Sequence, residues 1–540
     1  MDDYDYKQVK NKEEFKHYLN NMISKITKVL NRFKISQSNF QTYGNDCAKL
    51  ELVSKKCAKP KNKKLILVTA MSPTPTGEGK TTIAIGLNDA LNKFKYKSIL
   101  CLRQPSIGPT LGVKGGATGN GKSQVVPEQL INYGLTGDFY VIETINNLIA
   151  SVIDNSIYQG NSLNINPKTI SWRRTMDLSD RSLRDIEIYI NKLNKYHTGF
   201  DITAASDIMV ILCLSKNIDD FIEKINNIVI GYDFKNNPVY VRNFNLDRSI
   251  KILAANLIKP NCLLTKENNL CLMHGGPFAN IAHGCNSIIA LNESFNYADY
   301  VVTEAGFGSD LGFEKFVDII GREYNVPDAV VLCVTTKSIF YHSNKCKDWK
   351  EQFDIGLKNL IQHINLIKWV GYNPIVAINK FANDKKEQIS YLSKWLKAQK
   401  VRFAICDPVI TGVKSFDELT KLVVDETKKT KKIKFVYELN DSLATKIQNI
   451  VTSIYGLNTK AKYEDLAKLK LKKFNNFKYY VCMAKTPITF SSDKNDLVYN
   501  KQNKIVIKDI LVSTGAKLII PVCESIFRMP GLPKIPNAQK

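Results

Sequence analysis

The sequence predicts an α/β fold, a doubly wound and mostly parallel sheet followed by smaller α/β domains towards the C-terminus. Three observations carry that expectation. Residues 65–103 run as a short apolar stretch, a Pro/Thr/Gly loop, an amphipathic stretch and a second apolar stretch. Residues 329–406 then alternate strand-length apolar runs with helix-length amphipathic ones, which is how a parallel sheet wrapped by helices is encoded. After Lys434 the pattern changes to one helix-like segment and three short β-like runs. On this reading residues 1–355 form the first domain, 356–440 an α/β domain and 441–540 an α+β domain.

Taken in order, residues up to Lys64 read as helical, with Phe15, Leu19, Met22, Ile26 and Leu30 at helical spacing. Leu65–Ala70 is short, apolar and sharply bounded, as a buried strand is. Ile83, Leu87, Ala90 and Leu91 give the next segment a helical face, and a second strand ends before Arg103. The segment 105–119 is too glycine-dense to build a core and suits close approach of backbone to a ligand, with Lys114 as a further anion contact. Trp172-Arg173-Arg174 reads as a buried indole beside surface arginines. Ile208–Leu214 is a buried strand candidate and Ile218–Ile228 a helix. Strands are expected at Tyr300–Thr303, Ala329–Val334, Pro374–Asn379 and Val401–Cys406, with helices at Trp349–Ile367 and Lys386–Leu396. A helix from Ser442 to Tyr455 precedes β runs at Tyr479–Met483, Ile505–Val512 and Leu518–Val522.

The chemistry is concentrated where the first strand meets its helix. The loop reads Thr74-Pro75-Thr76-Gly77-Glu78-Gly79-Lys80-Thr81. Strand, glycine loop, Lys-Thr and helix make a phosphate cradle, the P-loop arrangement. Backbone N–H groups and the helix N-terminus face the anion, Lys80 adds a point charge, and the Thr81 hydroxyl can hold Mg²⁺. Thr74 stands where the usual Gly-x4-Gly-Lys-Ser/Thr pattern has its first glycine. Arg103 is expected on the same sheet edge. A second dense stretch runs from His274 to Asn286 and holds two of the chain's six histidines. Its spacing fits no zinc pattern, and a rigid polar loop bonding substrate is the better reading. The Gly-x-Gly at Gly306 is weak as a dinucleotide fingerprint. Asn379-Lys380 has Ala382 where a guanine-reading box needs aspartate, which argues against a GTPase.

Composition excludes several classes. At 540 residues and 44% hydrophobic content the chain suits two or three globular domains. No apolar run reaches the roughly 18 residues of a membrane span, and the acidic Met1–Asp5 start lacks a secretory core, so a cytoplasmic protein is expected. Twelve cysteines are scattered without a Cys-x-x-Cys pair and read as reduced, buried side chains. The net charge of +25 is spread as single lysines, a pattern that argues for a solvated surface and against nucleic acid as a partner.

The blocks PTPTGEGKTT at Pro73–Thr82, PSIGPTLGVKGGATG at Pro105–Gly119 and SWRRTMDLSDRSLR at Ser171–Arg184 are far more specific than any of these patterns. So are HGGPFANIAHGCNSIIA at His274–Ala290, YVVTEAGFGSDLGFEKF at Tyr300–Phe316 and MPGLPK at Met529–Lys534. In them the chain resembles the formate–tetrahydrofolate ligase (10-formyltetrahydrofolate synthetase) family over nearly its whole length. The resemblance implies an ATP-dependent ligase that makes formyl phosphate from formate and passes the formyl group to N10 of tetrahydrofolate. It implies ATP and Mg²⁺ at residues 74–81, Lys80 and Arg103 as the catalytic cations, and Phe307 and Phe381 in the folate pocket. It also implies a homotetramer, and the net positive charge would suit a polyglutamylated folate.

Two departures bear on function. The family's Arg-Glu-Pro is Arg103-Gln104-Pro105 here, which removes a carboxylate from the monovalent-cation (K⁺ or NH₄⁺) site to which the resemblance also assigns Asp138. The family's second folate-stacking residue, a tryptophan after the strand ending at Cys406, is replaced by Asp407-Pro408. One stacking partner is worth about 1–3 kcal/mol by analogy with bases on aromatic rings, so weaker folate binding is expected. The alternative these departures suggest is a degenerate member with weak or lost folate activity, acting as a nucleotide-binding protein.

Overall fold

The computed structural model describes residues 24–54, 56–75, 77–112, 117–192, 194–523 and 526–539. A single 12-stranded sheet dominates it. Its strands are β1 (Phe40–Tyr43), β2 (Cys47–Leu50), β3 (Lys64–Ala70), β4 (Ser98–Leu102), β5 (Gly119–Asn120) and β6 (Ser123–Val126). They continue with β7 (Asn261–Thr265), β8 (Leu270–Met273), β9 (Tyr300–Glu304), β10 (Ala329–Val334), β11 (Ile375–Asn379) and β12 (Phe403–Cys406). Along the main path the order is β1-β2-β7-β8-β4-β9-β3-β10-β11-β12. From β8 to β12 every neighbouring pair is parallel; β1, β2 and β7 are joined antiparallel. The mostly parallel sheet is therefore present, with an antiparallel margin at one side. The strands on either side of residue 355 share this sheet, whereas β13 (Lys462–Tyr463), β14 (Tyr480–Val481), β15 (Val506–Ser513) and β16 (Leu518–Cys523) form a separate one.

Strand β3 shows why the sheet is covered on both faces. Its residues from Leu65 onward are fully buried, yet they alternate between two cores. Leu65 and Leu67 join the larger cluster, while Ile66, Val68 and Ala70 join a second one built with the helix Lys80–Lys93 and the helix Asp417–Thr427. Two-sided burial produces the continuous apolar run that marked this strand in the sequence. The chain passes from β9 to β10 across β3, so the loop after β3 emerges between strands on either side of it. Ligands of open α/β sheets bind in such a crevice beyond the carboxyl ends.

Two expectations are corrected. Ile208–Leu214 lies in an α-helix, Asp207–Leu214, whose cap is the Ser206 hydroxyl accepting from the Met209 N–H at 3.2 Å. Every residue from Ile208 to Leu214 is buried, so the segment is apolar all round, and a buried helix then has no period to separate it from a buried strand. Among the described residues the N-terminal region is α-helical only at Lys25–Arg32, and after a single 3₁₀ turn at Gln37–Asn39 it forms the β1–β2 hairpin. Ile26 and Leu30 pack as expected; Phe15, Leu19 and Met22 lie outside the described residues.

The other elements agree within a few residues, including helices Trp349–Val370 and Lys386–Ala398. Trp172 is buried and donates its indole N–H to the Asn146 carbonyl at 3.0 Å. All twelve cysteines are free, ten of them buried. No helix among the described residues is long and apolar enough to cross a membrane.

The stretch from His274 to Asn286 serves packing instead of presenting polar groups to solvent. His274 is fully buried, with Nδ1 at 2.7 Å from the Ser287 hydroxyl and Nε2 at 2.7 Å from the Leu257 carbonyl. Burial pulls the His274 imidazole from 6.5 down to about 4, and His283, also fully buried, down to about 3. Below pH 6.5 the unfolded chain binds protons at these rings and the folded one does not, so the stability they contribute is present above 6.5 and lost as pH falls towards 4 and 3. The urea midpoint is expected to fall between pH 7 and pH 5, and His274→Gln to show a shallower fall. A midpoint equally high at pH 5 would show that the rings titrate normally in the fold.

Candidate active site

The loop 74–81 is braced from behind by its own glutamate. Glu78 is buried, its Oε1 accepting from the Thr74 N–H at 2.7 Å and its Oε2 from the Thr335 hydroxyl at 2.7 Å. The Gly77 N–H donates to the Thr74 carbonyl at 3.0 Å. Asn379, at the end of β11, donates its amide to the Glu78 carbonyl at 3.0 Å. That contact explains Gly79. With φ at +74° it sits in left-handed backbone, and a Cβ there would lie 2.3 Å from the Asn379 amide nitrogen. The left-handed turn ends the loop and starts the helix Lys80–Lys93, which has no side-chain cap. Its first N–H groups and the positive end of its dipole are thus left for an anion. Pro75 is exposed on the loop; Thr76 lies outside the described residues, as does Lys114.

Four side chains meet at the start of this helix, Lys80 and Thr81 from its own first turn, Arg103 from just after β4 and Glu304 from the end of β9. The Thr81 hydroxyl donates to Glu304 Oε2 at 2.7 Å, and Arg103 Nη2 approaches Glu304 Oε1 at 3.4 Å. Lys80 lies within electrostatic reach of the same carboxylate. Burial lowers the Lys80 ammonium from its ordinary value; Glu304, Cys333 and Glu78 act against that shift, and Arg103 adds to it. Arg103 is further tethered by Nη1 to the Pro277 carbonyl at 3.1 Å, and Gly306 leaves room for the guanidinium, since a Cβ there would be 2.9 Å from Nη1. Lys80, Thr81 and Arg103 are therefore brought together as expected. Glu304 was not singled out from sequence; the available signal was a carboxylate ending an otherwise uncharged strand.

The loops flanking this cluster carry the two phenylalanines. Phe307 follows β9 and is half-buried with φ at +58°, a left-handed conformation uncommon outside glycine. Two single turns of π-helix follow it, Ser309–Phe313 and Phe316–Ile320, a form concentrated at functional sites. Phe381 follows β11 and is 38% exposed, with its N–H donated to Asp384 at 2.8 Å. Beyond β12, Asp407 makes a turn: its Oδ1 accepts from the Ile410 N–H at 3.2 Å, and Lys380 lies 3.5 Å from its Oδ2. The apolar surface at this margin is Ile405 and Ile410, both exposed, and not an aromatic ring.

Two histidines also missed in the sequence hold the entry to the loop, His363 tying it to the turn that follows Phe307. His363 Nε2 accepts from the Ser72 N–H at 2.7 Å, which puts its proton on Nδ1, 2.6 Å from the Ser309 hydroxyl. His342 Nε2 lies 2.9 Å from the Ser72 carbonyl. Burial holds both rings below the usual histidine range, His363 well below it. They are distant in sequence from the residues they fix, so no local motif marks them.

The residues at Asp138 do not fit a monovalent cation. Lys49 reaches from β2 and places its ammonium 2.6 Å from Asp138 Oδ1 and 3.0 Å from the Lys259 carbonyl, with both side chains almost fully buried. Asp138 Oδ2 accepts from the Asn261 amide at 2.6 Å. Both carboxylate oxygens are thus engaged, and Gln104, buried just after β4, brings no charge.

The model of the family described as Formate–tetrahydrofolate ligase matches residues 14–540. A formate–tetrahydrofolate ligase of Malacoplasma penetrans is 45% identical over 487 residues, 88% of this chain and 91% of that protein. One of Campylobacter curvus is 44% identical over 530 residues, covering 95% and 94%. One of Staphylococcus epidermidis is 41% identical over 525 residues, with the same coverage. With a match of this length and identity, the chain belongs to the formate–tetrahydrofolate ligase family.

Proposed function

We propose that this protein is an ATP-dependent ligase that joins formate to tetrahydrofolate, giving 10-formyltetrahydrofolate, ADP and phosphate. The observation that carries the reading is the convergence of Lys80, Thr81, Arg103 and Glu304 at an uncapped helix N-terminus, with Phe307 and Phe381 on the loops either side. A formate oxygen attacks the γ-phosphorus and ADP leaves, forming formyl phosphate. N10 of tetrahydrofolate then attacks the formyl carbon, phosphate departs and the nitrogen loses its proton. Phosphoryl transfer asks the protein mainly for position and charge. The loop 74–81 and the first N–H groups of the helix hold the ATP phosphates. Lys80 and Arg103 face the charge on the transferring group, and Arg103 then holds the formyl phosphate. Mg²⁺ bound with ATP neutralises phosphate charge, and Thr81 supplies a hydroxyl for it. Phe307 and Phe381 bracket the pterin, and burial of the loops keeps water from a hydrolysable acyl phosphate. The protein works in the cytoplasm as a homotetramer, and its positive charge suits polyglutamylated folates.

Purified protein given ATP, Mg²⁺, formate and tetrahydrofolate should yield 10-formyltetrahydrofolate. Nucleotide binding without product at any folate concentration would return the chain to the degenerate reading. Because Lys49 already fills Asp138, the rate should be the same in K⁺ as in tetramethylammonium at constant ionic strength. Lys49→Met, which empties the place beside the carboxylate, should create a dependence on K⁺. Strong K⁺ activation of the unaltered protein would contradict the assignment.

A further inference from the structure

We propose that Glu304 is the carboxylate through which the protein holds the metal ion of bound Mg–ATP, with the Thr81 hydroxyl as its partner. The inference rests on the ligase reading for the identity of the nucleotide, and on this chain's own geometry for the rest. Glu304 ends β9, the strand hydrogen-bonded to β3, so its side chain emerges beside the phosphate loop. It is 4% exposed, with one oxygen on the Thr81 hydroxyl at 2.7 Å and the other towards Arg103 at 3.4 Å. Glu78, the other acid of the loop, already has both oxygens taken by Thr74 and Thr335.

The chemistry of magnesium suits so sparse a set. The ion demands octahedral oxygens, keeps several waters and takes one or two carboxylates beside the substrate's phosphates. A cage of three acids is not required, and among the described residues no group of three or more His, Cys, Asp or Glu could hold a metal alone. Proteins with phosphate loops of this type use a loop Ser/Thr and an acid on a neighbouring strand for the same ion. Here the hydroxyl in the first turn of the helix after β3 and the carboxylate ending the adjacent parallel strand β9 are already in contact. Glu304 then has two partners by turns. Without nucleotide it offsets the buried charge of Lys80 and Arg103. With Mg–ATP it turns to the ion, directly or through a water, and Arg103, still tethered at Pro277, is released towards the phosphoryl group.

The test is ATP binding by calorimetry in Mg²⁺ and in EDTA, with Mn²⁺ binding to the ADP complex followed by electron paramagnetic resonance. In the unaltered protein Mg²⁺ should tighten ATP binding. Glu304→Gln keeps the shape and should weaken Mn²⁺ in the ADP complex by about 10–100-fold. Its affinity for metal-free ATP should be unchanged or higher, because a negative charge beside the phosphates is gone. Thr81→Val should show a smaller metal defect, and the double variant should lose no more than Glu304→Gln alone. Unchanged Mn²⁺ affinity in Glu304→Gln would overturn the proposal. So would an equal loss of metal-free ATP binding, which would make Glu304 only a support for Arg103. Metal-dependent ATP binding that requires Glu304 without ligase product would sustain this inference and reject the ligase reading alone. No ATP binding by the unaltered protein would reject both.

Discussion

Lys80→Ala is expected to lower kcat at least about a hundredfold, the cost of removing one charge, about 3 kcal/mol, that stabilises the transferring phosphoryl group. The physical case is the environment of the ammonium. Burial disfavours its charged form, while the carboxylates of Glu304 and Glu78 favour it, so the charge sits where few waters share the task of stabilising phosphate oxygens. Lys80→Arg keeps the charge but not the compact point geometry and should recover only part of the rate. A steady-state rate with Lys80→Ala within a few fold of normal would mean that the loop binds no reacting phosphate. Arg103→Ala should cost a similar factor. Because Arg103 faces the acyl phosphate as well, it should also raise the KM for formate, which Lys80→Ala should leave nearer normal.

Lys485→Met is expected to destabilise the protein by about 3–5 kcal/mol, the cost of leaving one charge of a buried pair without its partner. Lys485 and Asp310 are 2.8 Å apart and neither side chain is exposed. The ammonium also donates to the carbonyls of Thr486, at 3.1 Å, and Thr489, and lies over the Tyr455 ring. Asp310 belongs to the π-helical turn just after Phe307, so the pair fastens the C-terminal segment to the loop after β9. Urea unfolding followed by circular dichroism measures the loss. Combining Asp310→Asn with Lys485→Met should return part of it, since no bare carboxylate is then left in the core. A double variant no more stable than Lys485→Met would assign the loss to the orphaned carbonyls of Thr486 and Thr489 instead.

Most of the central sheet was legible because its inner strands are buried on both faces, which gives short continuous apolar runs, while helices such as Lys386–Ala398 bury one face and show a helical period. Ala329–Val334 was expected with the bounds the structure has. The reading failed at Asp207–Leu214, where a helix is as buried as a strand, and at the β1–β2 hairpin, whose strands are too short to show a period. At the site, Gly77, Gly79, Lys80 and Thr81 are contiguous, so local order revealed them. Glu304, His342 and His363 act across strands or from distant helices, and only their folded positions show what they touch.

By itself the sequence determined the parallel α/β core and the family. These depend on residues adjacent in the chain or on blocks long enough to be specific. The tertiary structure decided what those residues are paired with. It set Glu304 between Thr81 and Arg103, and made His274–Asn286 a packing device. It also filled Asp138 with the ammonium of Lys49. The physical reason is the same in each case. A buried charge or hydrogen-bonding group must find a partner, and which partner it finds is set by strand order and register, which no stretch of neighbouring residues encodes.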